Sequence, residues 1–261
     1  MPVKADKPPL SVHLLPSLIP PGALRGGVAV VIDVLRASTL MIQALDAGCE
    51  AILPCLEIEE AQRLAADLPP GRALLAGERQ GLPIPGFDLG NSPGQCTPEV
   101  CRGKTLVMTT TNGTRAVLAC REAARVLIAG FVNLAATARA LRADGRPVHL
   151  VCAGTDGRIS LEDHLGAGAL AVALGHTYEP SGNDEAMIAV TSWHGVSSQA
   201  HDGAEGGTLF DYLTRGRGGR RVRELGLVQD IEDAARVNRF DLVAELKRDP
   251  LRIVPTGFHK M

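Results

Sequence analysis

The chain has 261 residues, 45% of them apolar and 21% charged, with a formal net charge of -2 at pH 7. That length and apolar content can bury a sizeable core, which excludes disorder over most of the chain. So small a net charge excludes a global field that would draw in nucleic acid or an anionic membrane, so any anion binding must come from local groups.

The first apolar stretch, "VHLLPSLIPP" at residues 12–21, is broken by proline and too short for a signal peptide or a membrane span. No later window reaches the roughly 18 apolar residues that a spanning helix needs. Six cysteines, Cys49, Cys55, Cys96, Cys101, Cys120 and Cys152, lack a paired framework and read as reduced thiols. A cytoplasmic protein is expected.

"VAVVID", residues 28–33, predicts a buried strand that feeds the helical pattern "VLRASTLMIQALDAG". The run ends in Asp33, three residues before Arg36, and the hydroxyls of Ser38 and Thr39 follow. A charge at a strand's C-terminal end is costly if buried alone, and a shared ligand crevice is the usual compensation. Asp33 as a simple helix cap is the other reading.

Residues 51–68, "AILPCLEIEEAQRLAADL", predict a strand and an amphipathic helix, and "ALLAGE", residues 73–78, one more strand. Residues 77–99, "GERQGLPIPGFDLGNSPGQCTPE", form a Gly/Pro loop region carrying Glu78, Arg79, Asp88, Asn91 and Ser92. Loops beyond about 15 residues in a compact domain are usually functional or mobile.

"TLVMTTT" then predicts a strand ahead of "NGTRAVLACREAA". Thr110, Thr111, Asn112, Gly113 and Thr114 fall at the junction, where Asn-Gly tolerates positive φ and backbone N–H groups can turn inward as an anion nest. A plain turn with a capped helix explains the same residues. "PVHLVCAG" predicts a strand before "TDGRISLEDHLGAGALAVALG", whose "SLED" has the form of a capping box with Glu162 and Asp163 in the first turn. "RGRGGRR", residues 215–221, lacks aromatics on which bases would stack and reads as a solvated loop. "RELGLVQDIEDAARVNRFDLVAEL" reads as helix-rich and closes the chain.

Strands alternating with helices imply an α/β fold, a layered α/β/α arrangement around a largely parallel sheet. One domain over residues 1–261 is expected, with two similar lobes, 1–145 and 146–261, as a further arrangement. In an open parallel sheet the loops after the strands emerge on one edge, so Asp33, Glu78, Thr109 to Asn112 and Asp156 are expected to converge.

Several tempting motifs fail. Cys96 and Arg102 have the C-x5-R spacing of cysteine phosphatases, but Pro98 removes a needed donor and Glu99 repels phosphate. "GKT" at residues 103–105 lacks the first Walker glycine, and a strand follows it. Gly166, Gly168 and Ala171 match G-x-G-x-x-A without a preceding strand, which suits a packed helix face. "DVLRA" lacks the second aspartate of haloacid-dehalogenase phosphatases. His194 and His201 flank Ser197 and Ser198 with no nucleophile elbow, and no Cys/His pairs have zinc spacing.

Taken together, Asp33, Glu78, Asp88, Asp156, Glu162 and Asp163 beside Arg36 and Arg79 are what a hard, oxygen-liganded cation and an anionic substrate require. The ordered set "DVLRAST", "GERQGLPIPGFDLGNSP", "TTTNGTRA", "CAGTDGRISLEDHLGAG" and "LGLVQDIEDAARVN" resembles the 2-phosphosulfolactate phosphatase (ComB) family from about residue 12 to Pro255. The resemblance implies a Mg2+-dependent, cytosolic phosphatase cleaving 2-phospho-3-sulfolactate to 3-sulfolactate and phosphate, a step toward coenzyme M in methanogens. The segment "SSQAHDGAEGG" and the arginine-rich loop depart from that pattern and leave substrate identity open.

On this reading Asp33 and Arg36 are catalytic. Asp33 is read first as a metal ligand or water activator, with nucleophilic attack as the alternative. Ser38, Thr39, Arg79, Asn91, Ser92, Thr110, Thr111, Asn112, Gly113 and Thr114 bind substrate, and Asp33, Glu78, Glu162 and Asp163 hold Mg2+. The expected partner is a small anionic phosphoester, with neither nucleic acid nor membrane involved; a homo-oligomer stays open. A non-catalytic anion sensor of the same fold is the competing function, and intact carboxylates beside an anion site argue against it.

Overall fold

Val28–Ile32 is buried at every position, as an apolar strand covered by helices on both faces must be. The computed structural model describes residues 7–179, 182–201 and 207–256. Its strands are β1 (Leu10–His13), β2 (Val28–Ile32), β3 (Ala51–Cys55), β4 (Ala73–Arg79), β5 (Leu82–Pro83), β6 (Thr105–Thr109), β7 (Arg125–Ala129), β8 (Val148–Cys152), β9 (Val243–Arg248) and β10 (Leu251–Thr256). The helices are α1 (Ala37–Asp46), α2 (Ile58–Ala66), α3 (Pro98–Cys101), α4 (Gly113–Ala119), α5 (Leu134–Asp144), α6 (Leu161–Leu174), α7 (Asp184–His201), α8 (Leu209–Arg215), α9 (Arg217–Glu224) and α10 (Val228–Ala234).

One ten-stranded sheet runs β1-β8-β2-β7-β9-β10-β3-β6-β4-β5, so the fold is α/β as expected. Alternation along β2 serves two cores. Ala29 and Val31 pack with Met41 and Met108 on one face, and Val28, Val30 and Ile32 with Leu170 and Tyr178 on the other. Gly166 and Gly168 are indeed packing residues: a Cβ on Gly168 would lie 2.2 Å from the Ala189 carbonyl oxygen, so glycine lets α6 and α7 touch.

The expectation of a single strand-end edge needs correcting. β1, β8, β2 and β7 pair in parallel, and so do β3, β6 and β4. Between these blocks lie the antiparallel pairings β7–β9, β9–β10 and β10–β3, which reverse the strand sense. In a flat sheet the C-terminal ends of the two blocks would therefore lie on opposite edges. Neighbouring strands twist by roughly 20–25°, so the blocks do not lie flat, and the residues after β2 and β6 come into contact where Gly113 meets Asp33 and Ala37.

A boundary near residue 145 would separate β8 from β1 and β2, between which it lies. The stretch read as a helix-rich close contributes α10 but then enters the sheet as β9, because pairing with β7 and β10 satisfies its backbone. Among the described residues no helix is long and apolar enough to cross a membrane, and all six cysteines are free and buried.

Candidate active site

Asp33 leaves β2 with its backbone N–H donating to Ser38 Oγ at 3.0 Å, while its Oδ1 accepts the Ala37 N–H at 3.1 Å. It thus accepts the first N–H of α1, but the N-cap position is Arg36, because the helix starts later than the sequence suggests. Its second oxygen, Oδ2, lies against Gly113: a Cβ there would sit 2.7 Å from Oδ2 and 2.4 Å from the Ala37 Cβ. Only glycine lets the turn after β6 approach the residue after β2 this closely.

Around this junction opens a cavity of about 570 Å³, whose wall includes Asp33, Arg36, Glu78, Asn91, Thr110, Thr111, Asn112 and Asp156. The convergence inferred from the sequence holds for these residues. Asp156 carries a φ of 52°, a left-handed conformation for a non-glycine residue, and its N–H donates to Asn112 Oδ1 at 3.2 Å. Two buried polar atoms of the wall, Asn91 Oδ1 and Thr111 Oγ1, have no hydrogen-bond partner among the described residues. Buried polar atoms are rarely left so, and these two are available to a ligand.

Other predicted contacts turn out to be framework. Ser38 Oγ and Thr39 Oγ1 donate to the carbonyls of Val31 and Val34 beneath the site. Thr114 Oγ1 donates to the Thr110 carbonyl, and its N–H donates to Thr110 Oγ1 at 3.1 Å. Much of the expected anion nest is also occupied, since Thr110 N–H goes to Thr114 Oγ1 and Thr111 N–H to Glu78 Oε1. Arg79 points away from the cavity: it donates to the carbonyls of Glu78 and Leu56 and to Thr109 Oγ1, fastening the ends of β3, β4 and β6. Asp88 accepts the Leu75 N–H at 2.8 Å along β4.

Arg36 is held rigidly. Nη1 donates to Asp230 Oδ2 at 2.7 Å and to Ser92 Oγ at 3.2 Å, and Nη2 donates to the Gly81 carbonyl at 2.9 Å. Ser92 in turn donates to Asp230 Oδ2 at 2.7 Å, so Ser92 serves the arginine and not a ligand directly.

The four predicted metal ligands divide in two. Glu78 accepts the N–H groups of Gly81 and Thr111, one on each oxygen, at 2.7 and 2.8 Å. Asp163 likewise accepts those of Val34 and Gly154 at 2.8 and 3.0 Å, reaching across to β2 and β8 in place of closing a capping box with Ser160. Both are committed to backbone. Glu162 is 1% exposed, faces Gly216 and Gly218, and has no hydrogen-bond partner of good geometry at either oxygen.

Burial, together with Glu78 and Glu162, pushes the Asp33 carboxyl up to about 7. Burial likewise raises Glu162, and raises Asp163 well above the usual range with help from Asp33 and Glu162. These acids repel one another in a dry setting, which a cation would relieve.

Among the described residues no group of three or more His, Cys, Asp or Glu side chains is arranged to hold a metal ion. A Mg2+ ion, however, usually takes only one or two carboxylates and completes its shell with water and phosphate oxygens. The uncommitted Oδ2 of Asp33 and the buried carboxyl of Glu162 are the two groups that would serve in that mode.

Three arginines of this wall were missed in the sequence. Arg217, Arg220 and Arg221 lie on α9 and line the cavity, although "RGRGGRR" reads as a solvated loop. Their i, i+3, i+4 spacing was the available signal, masked by the glycines between them. Asp230, the partner of Arg36, had no local signal. The histidine pair flanking Ser197 and Ser198 forms no described triad: both hydroxyls donate to carbonyls within α7, and the His201 side chain lies outside the described residues.

The family model described as 2-phosphosulpholactate phosphatase matches residues 13–249. A Deinococcus radiodurans protein named probable 2-phosphosulfolactate phosphatase is 39% identical over 250 residues, covering 95% of this chain and 96% of its own. One of the same name from Caldanaerobacter subterraneus subsp. tengcongensis is 36% identical over 223 residues, 85% of this chain and 89% of its own. A third, from Gloeobacter violaceus, is 37% identical over 243 residues, 92% of this chain and 94% of its own.

Proposed function

The chain belongs to the 2-phosphosulpholactate phosphatase family, and from that premise we propose that it hydrolyses 2-phospho-3-sulfolactate, or a closely related small phosphoester, to the free hydroxy acid and phosphate with the help of Mg2+. As a member of that family it is a phosphoric monoester hydrolase. The observation that carries the reading is Asp33: a buried carboxyl on the cavity wall, raised to about 7, with one oxygen spent on the helix and the other free beside Gly113.

Phosphate monoester hydrolysis leaves little covalent work to a protein, so positioning and electrostatic stabilisation dominate. Asp33 and Glu162 would hold Mg2+, which when bound would offset the charge of the phosphoryl group. Oδ2 is the one uncommitted oxygen of Asp33, so it would either ligate the ion or, with Glu162 alone holding the ion, accept the proton of an attacking water. Arg36, immobilised by Asp230, Ser92 and Gly81, keeps its remaining N–H groups for phosphate oxygens, where a fixed planar guanidinium loses little freedom on binding. Thr111 Oγ1 and Asn91 Oδ1 supply further polar contacts. Water oxygen adds to phosphorus, the P–O bond to the organic acid breaks, and the departing alkoxide takes a proton from solvent to leave as the alcohol.

The test is phosphate release from 2-phosphosulfolactate and a panel of small phosphoesters, with Mg2+ and with a chelator. Release that requires Mg2+ is expected. Release unaffected by the chelator would remove the metal, and no release from any ester would point to a binding protein.

A further inference from the structure

α9 reads "RGGRRVRE", and Arg217, Arg220 and Arg221 share one helical face that borders the cavity. Glycine brings this helix so near. A Cβ on Gly218 would lie 1.9 Å from Glu162 Oε1, and one on Gly219 1.9 Å from the Leu213 carbonyl oxygen. The backbone of α9 is thus seated on the buried acid, and the three long side chains stand exposed at the rim.

Arg36 and Arg125 are neutralised by carboxylates. The α9 arginines differ. Arg221 donates to the Gln80 carbonyl at 2.8 Å and Arg220 to the Arg215 carbonyl. The Arg217 side chain has no hydrogen-bond partner among the described residues, and none of the three forms an ion pair there. The cavity therefore has a floor of buried carboxyls, Asp33 and Glu78, and a rim of exposed guanidinium groups outside any ion pair, with Glu224 of the same helix beside them on the wall. A phosphoryl group must reach Asp33 at the floor, which leaves the rim to whatever the substrate carries beyond its ester.

We infer that Arg217, Arg220 and Arg221 bind a second acidic group of the substrate, a carboxylate or sulfonate. They thereby set a preference for phosphoesters bearing such a group over simple ones. The turnover part of this inference rests on the phosphatase reading; the binding part does not.

Two measurements test it on the full chain and on the variants Arg217→Ala and Arg220→Gln. Calorimetric titration with 3-sulfolactate, which has no phosphate, reads the rim without turnover. The ratio of kcat/KM for 2-phosphosulfolactate to that for ethyl phosphate reads selectivity. Arg217 holds nothing else in place, so its removal reports on the ligand even if Arg220→Gln disturbs α9. Each variant is expected to weaken sulfolactate binding and lower the ratio roughly tenfold, the scale of one lost charge-assisted contact at a partly exposed site. Arg217→Lys should recover part of the loss. Unchanged sulfolactate affinity, or equal losses on both esters, would place these arginines elsewhere or on the phosphate and overturn the inference. Sulfolactate binding that depends on the arginines, without phosphate release from any ester, would keep the inference and end the phosphatase reading.

Discussion

Arg36 Nη1 donates to Asp230 Oδ2 at 2.7 Å with the two side chains 4% and 6% exposed, joining the turn after β2 to α10, 194 residues later. A buried pair of this kind is weak grounds for net stability, but removing one partner strands the other's charge in a dry site. Asp230→Ala should therefore destabilise the protein by about 3–5 kcal/mol, and Asp230→Asn by less because an amide oxygen still accepts. A urea titration should show the midpoint falling without a change of slope. An unshifted midpoint in Asp230→Ala would mean that Arg36 finds another partner.

Gly113 stands where the two parallel blocks touch, and its missing side chain is the space that Asp33 Oδ2 and the Ala37 Cβ occupy. Gly113→Ala should cost about 1–3 kcal/mol through overpacking and should displace the Asp33 carboxyl. The expected result is a fall in kcat larger than any rise in KM. A variant with unaltered kcat would show that the turn relaxes without moving Asp33.

Asp33 is held at about 7 in the folded protein against an ordinary 3.8, so between those values the folded state binds more protons than the unfolded one. Stability attributable to this group is greatest at low pH and is lost as pH rises through about 7. In chelator-treated buffer, Asp33→Asn should therefore melt above the unmodified protein at pH 8, with the gap closing toward pH 4, and with Mg2+ restored it should release no phosphate. Equal melting temperatures at pH 8 would show that the buried charge is compensated without a metal.

Arg79 offers a contrast. It was expected to clamp an oxyanion, yet its guanidinium is spent on Glu78, Leu56 and Thr109 away from the cavity. Arg79→Ala should lower stability by about 1–3 kcal/mol through the lost contacts, while kcat/KM for phosphate release stays within roughly threefold. A hundredfold loss would return Arg79 to the site.

Much of the architecture was legible because periodicity and residue type are local. The apolar run of β2, the strand and helix over residues 51–68, and the strand within "TLVMTTT" are written in consecutive residues, and the structure has them there. Asp33, Arg36, Glu78, Asn91, Thr110, Thr111 and Asn112 were recognisable as polar groups at strand ends, where α/β folds place ligands. The same logic could not tell that Ser38, Thr39 and Thr114 bond to backbone carbonyls. A hydroxyl near a helix start serves a ligand or the backbone equally well by composition, and here each serves the backbone.

The sequence by itself determined the α/β class, the family, and the cluster of acids and Arg36 around Asp33, because these rest on local pattern and on motifs kept in order. The tertiary structure alone decided the rest. Three antiparallel pairings reverse one parallel block against the other, and the residues after β2 and β6 nevertheless meet at Gly113 and Asp33. Contacts between elements, such as Val34 with Asp163 and Thr111 with Glu78, then settle which acids are committed to backbone amides and which stay free, and the glycines of α9 seat that helix over Glu162. Hydrogen-bond commitment is a property of three-dimensional neighbours, and no spacing along the chain encodes it.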